Sequence, residues 1–539
     1  MRHFLAVSNT NAKTDLHDCA ARIAAYVGLN PVTLSSSCRW TLWSDSPDFF
    51  QSACFPTRSF EPSVAQGSVA VRIKPGERGL GRVFFAETNN ARLVASQPAW
   101  LAALCQSEVD VRSMYEDLVL GYRTGSRSIF TSVQRPSESD LLLLCHDGSL
   151  QTVPDHINDM MTNNIAEQLK SSIDMIDPSV TAIELTGGVD SRLNLAVCAA
   201  ANKLPKHALT IGDADNHDVL TAADLCKQFG INHITIHPAD IPDPTPEDIE
   251  RFVTESGYAS NTVNYGWLPP VYRMIEQHRT MQITGAGGEY AGGFYSTPFD
   301  FLCGHPRIQR SWVRTRMMTQ IDTTQIIQPD IRNRLDNATM DSCVSQLRSL
   351  ATSWREAGNR WYGANRLRHW GAPVLWASDS WYCVHAPLLS PAYLAWCDAE
   401  RSGRKGQIEL IRTLHPDALN VPFANSSPDV SRLRKAATSY RKITRRLRKK
   451  HHGRPAVENR LATLLAQDSS IHTLLDNLKH ALGDVFIAGS GKELASTTKH
   501  TPSVFGTLLT AAIAQRDLTM FAQIANRGIP NPSIIPVTA

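Results

Sequence analysis

The sequence predicts an α/β protein in which a parallel, doubly wound sheet follows a β-rich amino-terminal region. Three observations predict this fold class. Short β-prone runs alternate with amphipathic helices from about residue 180. Two of these runs end in glycine-rich turns, which is typical of ligand-binding edges in open α/β sheets. Upstream, short apolar runs are separated by Gly, Pro and Asp, as in antiparallel sheets.

The amino-terminal part is expected to form one sheet-rich domain over residues 1–155. Its strands are predicted from the runs SVAVRIKP, RVFFAET and DLLLLCHDGSLQTV, which alternate or cluster apolar residues. A helix is then predicted over Asn158–Met175, because apolar positions recur there at spacings of three and four residues.

The parallel sheet is expected within a second domain, residues 156–425. Its strands are predicted at TAIEL, HALTIG, NHITIHPA and MQI, with helices at SRLNLAVCAAAN and NHDVLTAADLCKQFG, the latter stopped by its glycine. Residues 310–420 are expected to be mostly helical. Residues 426–539 are expected to form a basic helical extension, which begins with an amphipathic run, Ser431–Arg454.

Composition excludes several classes of protein. The 539 residues carry a net charge of +3, which gives no reason to expect a nucleic-acid or membrane partner. The 11 cysteines are dispersed, as suits reduced thiols better than a disulfide framework or zinc site. No apolar run approaches the roughly 18 residues of a membrane span, and the first residues do not resemble a signal peptide. A cytoplasmic location is therefore expected.

The first chemical motif is LTGGVDSR, Leu185–Arg192, placed between a predicted strand and a predicted helix. Gly187 and Gly188 allow a sharp turn, and the helix start offers free N–H groups to an anion. Asp190 would repel phosphate unless a cation such as Mg²⁺ lies between them. The alternative is a plain glycine turn whose Asp and Ser cap a helix.

This motif resembles the S-G-G-x-D-S signature of the PP-loop ATP pyrophosphatases, with Thr186 at the first Ser. A second motif, TGAGGEYAGGFY, Thr284–Tyr295, is similar to the G-x-G-[AGS]-D-E-x-F-x-G-Y loop of asparagine synthetases and their relatives. Glu289 stands where that family has its second Mg²⁺-binding Asp. The segment Cys383–Phe423 resembles a later family segment, with His385 at its Arg and Ser390 at its Asp.

The resemblance implies a PP-loop, adenine nucleotide alpha hydrolase-like synthetase domain behind a degenerate Ntn-type, glutaminase-like domain. It implies ATP and Mg²⁺, with Asp190 and Glu289 as metal ligands and catalytic residues. It further implies nucleotide contacts from Thr186, Gly187, Gly188, Val189, Asp190, Ser191, Leu209, Ile211, Gly285, Gly287 and Gly288. Asp213 or Asp218 could contact ribose or cap a helix, and capping is the favoured role.

The sequence departs from the family at three places. Arg2 stands where glutamine-dependent members carry their nucleophilic Cys, which predicts a ligase without its own glutaminase, similar to lasso-peptide cyclases and β-lactam synthetases. The family Lys is missing after the last strand region. Lys405 or Lys435 could replace it in space, and Lys405 is the candidate catalytic residue, but a solvated surface lysine is the favoured role of either. Tyr290 replaces a family Glu.

The predicted activity joins a small-molecule or peptide carboxylate to an amine, with release of AMP and pyrophosphate. Two alternatives remain open. One is a catalytically degenerate nucleotide-binding member that serves partner enzymes in peptide or polysaccharide biosynthesis. The other is a tRNA-modifying PP-loop enzyme, which the basic run keeps open although a nucleic-acid partner is disfavoured.

Overall fold

The structure is a computed structural model. It describes residues 3–8, 15–34, 38–46, 59–62, 69–76, 80–138, 140–154, 164–291, 293–295, 300, 303, 305–318, 323–400, 403–424, 456–487 and 489–527. The predicted basic helix at Ser431–Arg454 lies outside these residues.

The amino-terminal region is rich in strands, as the sequence predicts. These strands are β1 (Phe4–Ser8), β2 (Asn30–Val32), β3 (Trp40–Ser44), β4 (Ser59–Pro62), β5 (Val69–Lys74), β6 (Phe84–Glu87), β7 (Arg92–Ala95), β8 (Val133–Gln134), β9 (Asp140–Cys145) and β10 (Leu150–Pro154). They pair antiparallel in a six-stranded sheet, β2-β3-β1-β7-β6-β8, and a four-stranded sheet, β10-β9-β5-β4.

Strand β1 shows why the two sheets pack face to face. All five of its residues are buried, and alternate side chains point to opposite faces. Phe4 and Ala6 share a core with Leu142 and Leu144 of the smaller sheet. The opposite face packs on helices α1 (Asp15–Tyr26) and α2 (Pro98–Leu104) within the main core.

The parallel sheet contains the four predicted strands and one more. The strands are β11 (Thr181–Glu184), β12 (His207–Ile211), β13 (Asn232–Ile236), β14 (Met281–Ile283) and β15 (Cys383–His385). Their order is β13-β12-β11-β14-β15, and every neighbouring pair is parallel. Strand β15 falls in the range predicted to be mostly helical. It has only three residues, too few for a two-residue periodicity to show.

Helices cover both faces of this sheet. In chain order, the helices that precede residue 280 and follow α2 are α3 (Val111–Val119), α4 (Ile165–Ser171), α5 (Val189–Ala200), α6 (His217–Phe229), α7 (Pro246–Glu255), α8 (Thr262–Tyr265) and α9 (Leu268–Ile275). One sheet face packs against α9 through Ala182, Leu209 and Val271. Ile183 and Ile283, on the other face, belong to the main core with α5. The predicted doubly wound arrangement is therefore present.

Two predicted helices, α5 and α6, are confirmed, and α6 stops at Gly230 with a φ of 68°. The helix predicted over Asn158–Met175 is shorter. It ends at Ser171, and Met175 is 96% exposed in the turns that precede Pro178. The apolar spacing that predicted the longer helix therefore continues past the helix end into these turns. Residues 155–163 lie outside the described part.

The rest of the described chain is mostly helical. These helices are α10 (Pro306–Arg316), α11 (Pro329–Leu350), α12 (Trp354–Trp361), α13 (Ala372–Asp379), α14 (Pro391–Glu400), α15 (Arg404–Leu414), α16 (Ala456–Leu465), α17 (Ser469–Leu482), α18 (Gly491–Thr498) and α19 (Pro502–Arg527). A π-helical segment, Tyr362–Gly371, joins α12 to α13. Helix α19 packs against α1 and α2 and against α8. No helix among the described residues is both long and apolar enough to cross a membrane.

Candidate active site

The first glycine turn connects the end of β11 to α5, which begins at Val189. The Ser191 hydroxyl lies 3.1 Å from both the amide nitrogen and the hydroxyl of Thr186. The Gly188 N–H donates to the Thr186 hydroxyl over 3.2 Å. The turn is therefore held in part by its own hydroxyl groups, and the start of α5 provides the positive end of a helix dipole.

The second glycine turn follows β14 and packs directly on the first. Gly287 has a φ of 95°, in the left-handed region that glycine favours. A Cβ at Gly288 would lie 2.3 Å from the Asp190 carboxyl carbon, so no larger residue fits without movement. A Cβ at Gly285 would lie 3.4 Å from the Ser191 nitrogen. The two motifs, about a hundred residues apart in the chain, form one structure.

This contact brings Asp190 and Glu289 to the same cavity. Gln407 of α15 donates to the Asp190 carboxylate over 2.8 Å and to the Gly288 carbonyl over 3.1 Å. The Tyr362 hydroxyl donates to the Glu289 carboxylate over 2.6 Å. Burial, and then the charge of Glu289, raise the pKa of Asp190, while Gln407 and the charge of Arg404 lower it. A cation between the carboxylates would relieve their repulsion.

The cavity has a volume of about 540 Å³ and lies at the carboxyl ends of the parallel strands. It extends over the sheet face towards α9, α13 and the π-helical segment. The predicted site residues that line it are Thr186, Asp190, Ser191, Leu209, Ile211, Gly285, Gly287 and Glu289.

Residues 164–427 match the family model for asparagine synthase. This segment is an asparagine synthase domain. The resemblance predicted from the two glycine motifs is therefore confirmed for this segment, and the match supports an ATP-dependent ligase that forms amide bonds. A search among curated proteins found no match.

The remaining predicted residues of the asparagine synthase domain do not line the cavity wall. Gly187, Gly188, Val189 and Gly288 shape the two turns behind it. Lys405 is exposed in the first turn of α15, beside Arg404. The charge of Arg404 acts on Asp190, whereas Lys405 does not line the cavity. The roles assigned to all these residues stay predictions.

The favoured capping role of Asp218 was wrong. Asn216 caps α6, because its side chain accepts a hydrogen bond from the Asp218 N–H. The Asp218 carboxylate instead accepts from the Gly187 N–H over 3.0 Å. Asp213 contacts His237 over 2.9 Å. An acidic residue near a helix start can cap that helix or accept a hydrogen bond from a neighbouring turn. The sequence alone does not give the position of the turn, which decides between the two roles.

A strap of residues 418–424 crosses the first glycine turn. Arg192, whose side chain is fully buried, donates to the carbonyls of Ala418, Val421 and Pro422. Its guanidinium stacks 4.0 Å from the Phe423 ring centroid. The Ala424 N–H donates to the Gly187 carbonyl over 3.3 Å. This segment follows the last strand region, where the family Lys is missing, and it contacts the first glycine turn.

The residues that hold Asp190 and Glu289 in place were missed from the sequence. Gln407 lies 217 residues after Asp190, and Tyr362 lies 73 residues after Glu289. Nothing in a single sequence connects residues so far apart. Glu184 was also missed, although an acidic residue at the end of an apolar strand is a readable signal. It is half-buried and lines the cavity.

The donor set of the cavity fits Mg²⁺. Among the described residues no group of three or more His, Cys, Asp or Glu is arranged to hold a metal by itself. Mg²⁺ is usually held by one or two carboxylates together with phosphate oxygens and water. Asp190 and Glu289 supply the two carboxylates, and a nucleotide would supply the remaining oxygens.

Proposed function

We propose that this chain activates a substrate carboxylate with ATP and transfers the acyl group to an amine, with release of pyrophosphate and AMP. One observation carries the proposal. The two glycine turns are in contact, and that contact brings Asp190 and Glu289 to one cavity at the carboxyl ends of β11 and β14. Open α/β sheets bind ligands at this edge.

The proposed nucleotide position follows from the lining residues. The end of β12, with Leu209 and Ile211, offers an apolar edge and backbone groups for adenine. The phosphates would lie against Thr186 and Ser191, where hydroxyls and the start of α5 favour negative charge. Because phosphoryl transfer needs little covalent help, positioning and charge neutralisation are the main tasks of such a site.

Mg²⁺ would be held by Asp190 and Glu289, and it would supply the positive charge that neutralises the pyrophosphate leaving group. The chain's own residues orient these ligands. Gln407 fixes one oxygen of Asp190, and Tyr362 fixes one oxygen of Glu289. Hydrogen bonds of this kind hold carboxylates in the geometry that binding requires.

In the proposed first step, a substrate carboxylate oxygen attacks the α-phosphorus. The bond from that phosphorus to the bridging oxygen breaks, and pyrophosphate leaves with the electron pair. In the second step a neutral amine attacks the acyl carbon. The bond to the AMP oxygen breaks, and the amine nitrogen loses a proton to complete the amide.

The amine is proposed to come from a source other than glutamine hydrolysis by this chain. Strand β1 contains no cysteine. Burial raises the pKa of Cys38, and it raises that of Cys105 to about 12, which disfavours the reactive thiolate.

We also propose a division into three parts: a degenerate Ntn-type domain at 1–155, the synthetase domain at 156–425 and a helical extension at 426–539. The proposed location is the cytoplasm.

The test is ATP–pyrophosphate exchange in the wild type and in Asp190→Asn, which keeps the side-chain shape but removes the charge. Exchange in the variant is expected to fall by at least about a hundredfold, because a metal ligand is lost. Asp224→Asn is the matched control, since Asp224 is exposed and does not line the cavity. Wild-type exchange in Asp190→Asn would refute the metal role.

A second candidate function is supported by the contact between Asp218 and Gly187. One N–H of the phosphate turn already donates to a carboxylate, which a phosphate group would have to displace or avoid. This favours a member that binds nucleotide and serves partner enzymes without catalysis. ATP binding by calorimetry, with no pyrophosphate release across carboxylate and amine substrates, would favour this candidate over the ligase.

A further inference from the structure

A second cavity, which we call the side cavity, has a volume of about 280 Å³. It lies where α3, α8 and α19 meet the π-helical segment. Tyr265 and Trp370 line both this cavity and the candidate active site. Much of the remaining lining is polar, with hydroxyl and amide side chains from Ser260, Asn261, Asn264, Ser503, Thr507 and Thr510. Such a lining favours a polar ligand.

The side cavity contains one positive charge that is not offset. Among the described residues that line it, only Asp117 and Arg366 are charged. Asp117 forms an ion pair with Arg123 over 2.7 Å, so these two charges offset each other. Arg366 forms no ion pair with any described residue. The Glu289 carboxylate, on the candidate active site, accepts a hydrogen bond from Tyr362 instead.

Aromatic rings surround the guanidinium of Arg366. Its central carbon lies 4.4 Å from the centroid of the Trp370 ring and 4.6 Å from that of the Phe294 ring. The Tyr295 hydroxyl is a polar neighbour. Aromatic faces attract a cation, but they supply no carboxylate or carbonyl oxygen to its N–H groups. The rings therefore favour the charge without pairing it.

Arg368, two residues later, shows how a buried arginine of this segment is ordinarily satisfied. It donates hydrogen bonds to the carbonyls of Gly125 and Pro136. Arg366 donates to no carbonyl or carboxylate in the part of the chain that the structure describes. Its Nε atom is buried, so the two terminal nitrogens are the atoms that can meet a ligand. Because charges removed from bulk water are usually paired, we expect an anion beside this half-buried arginine.

A carboxylate suits the side cavity better than a doubly charged phosphate. One arginine supplies one positive charge, and the Asp117 carboxylate on the same lining would repel a second negative charge. The paired N–H groups of a guanidinium also match the two oxygens of a carboxylate. The volume of about 280 Å³ limits the ligand to a small molecule.

We infer that the side cavity binds a small molecule through a carboxylate group, which accepts hydrogen bonds from the terminal nitrogens of Arg366. This site goes beyond the proposed ligase reaction, whose nucleotide and metal are assigned to the other cavity. A molecule bound here would lie against Tyr265 and Trp370, which also border the candidate active site.

The test compares propionate with propionamide, which has nearly the same shape but no charge. Binding to the full chain is measured by ligand-observed NMR without ATP. We expect propionate to bind at least about tenfold more tightly, because hydrogen bonds to a charged group are stronger than those between neutral groups. In Arg366→Met, which keeps an unbranched apolar side chain but removes the guanidinium, this preference should disappear.

Arg307→Met is the matched control. Arg307 is an exposed arginine of α10 and lines neither cavity. The preference for propionate should persist in that variant. Should Arg366→Met fail to fold, wild-type crystals soaked with 3-bromobenzoate serve instead, since the anomalous signal of bromine locates the probe. The inference expects this signal in the side cavity, and a signal only elsewhere would refute it.

Two further outcomes overturn the inference: equal binding of propionate and propionamide to the wild type, or an unchanged preference in a folded Arg366→Met. Inorganic phosphate is the third probe. Tighter binding of phosphate than of propionate, if it is lost in Arg366→Met, would overturn the assignment of a carboxylate.

Discussion

The two glycine turns of the site both border the cavity, but different interactions hold each turn in place. The first is packed closely against Ala424 of the strap at Gly187, and the hydroxyls of Thr186 and Ser191 close it from within by hydrogen bonds. The second is held by close packing, because Gly288 leaves room for Asp190 where a Cβ would collide. We therefore expect a substitution that adds a side chain at Gly288 to reduce activity more than a substitution that removes a hydrogen bond of the first turn.

The largest expected effect is that of Gly288→Ala. Its Cβ would lie 2.3 Å from the carboxyl carbon of Asp190, so either the turn or the carboxylate must move. We expect ATP–pyrophosphate exchange to fall by at least about a hundredfold, and overpacking to cost about 1–3 kcal/mol of unfolding free energy. Exchange assays and thermal unfolding measure the two effects.

Gly285→Ala is the matched variant in the same turn, since its nearest contact would be at 3.4 Å. It should lose much less exchange than Gly288→Ala. Equal losses in the two variants would show that the turn is sensitive to any side chain, and the packing explanation would then fail.

A smaller effect is expected for Thr186→Val, which keeps the shape of the side chain but removes its hydroxyl. The Gly188 N–H then loses its acceptor, and Ser191 loses a partner. The cost of about 1 kcal/mol should weaken ATP binding by roughly five- to tenfold, as read by calorimetry. Thr186→Ser, which retains the hydroxyl, should bind ATP as the wild type does, and failure of this rescue would contradict the hydrogen-bond role.

The smallest expected effect is a change in pH dependence in Gln407→Leu. The Gln407 amide lowers the pKa of Asp190, so its removal should raise that pKa further. Because the ionised carboxylate is the form that binds a cation, exchange should be lost at a higher pH as the solution is acidified. At pH values well above the pKa, the variant should approach wild-type exchange. An unchanged acidic limb would show that Asp190 does not control it.

The sequence was sufficient to predict the parallel strands and both turns because these features are local. A β-prone run such as TAIEL and a following glycine turn can be read within a dozen residues. Asp190 and Glu289 were predicted from the family resemblance, and the structure brings both to one cavity. Strand β15 was missed because three residues carry no periodicity, and they are placed by pairing with β14.

The parts of the site that could not be predicted depend on distant pairs. The carboxylates interact with Gln407 and Arg404 of α15 and with Tyr362 of the π-helical segment. These interactions depend on how α15 and the π-helical segment pack in the folded chain. The apolar lining of the cavity is similar, since α9 and α13, which both contribute to it, are separated by about a hundred residues. Their apolar residues predict burial, but not that part of the buried surface borders a cavity.

Arg192 links the first glycine turn to the strap of residues 418–424. It follows Ser191 directly, and its guanidinium donates hydrogen bonds to three carbonyls and stacks on the ring of Phe423. A shift of the first turn of α5 would therefore also displace residues 418–424, which Arg192 contacts. The strap is thus tied to the same turn that we assign to phosphate, so a phosphate group that moved this turn would also move the strap.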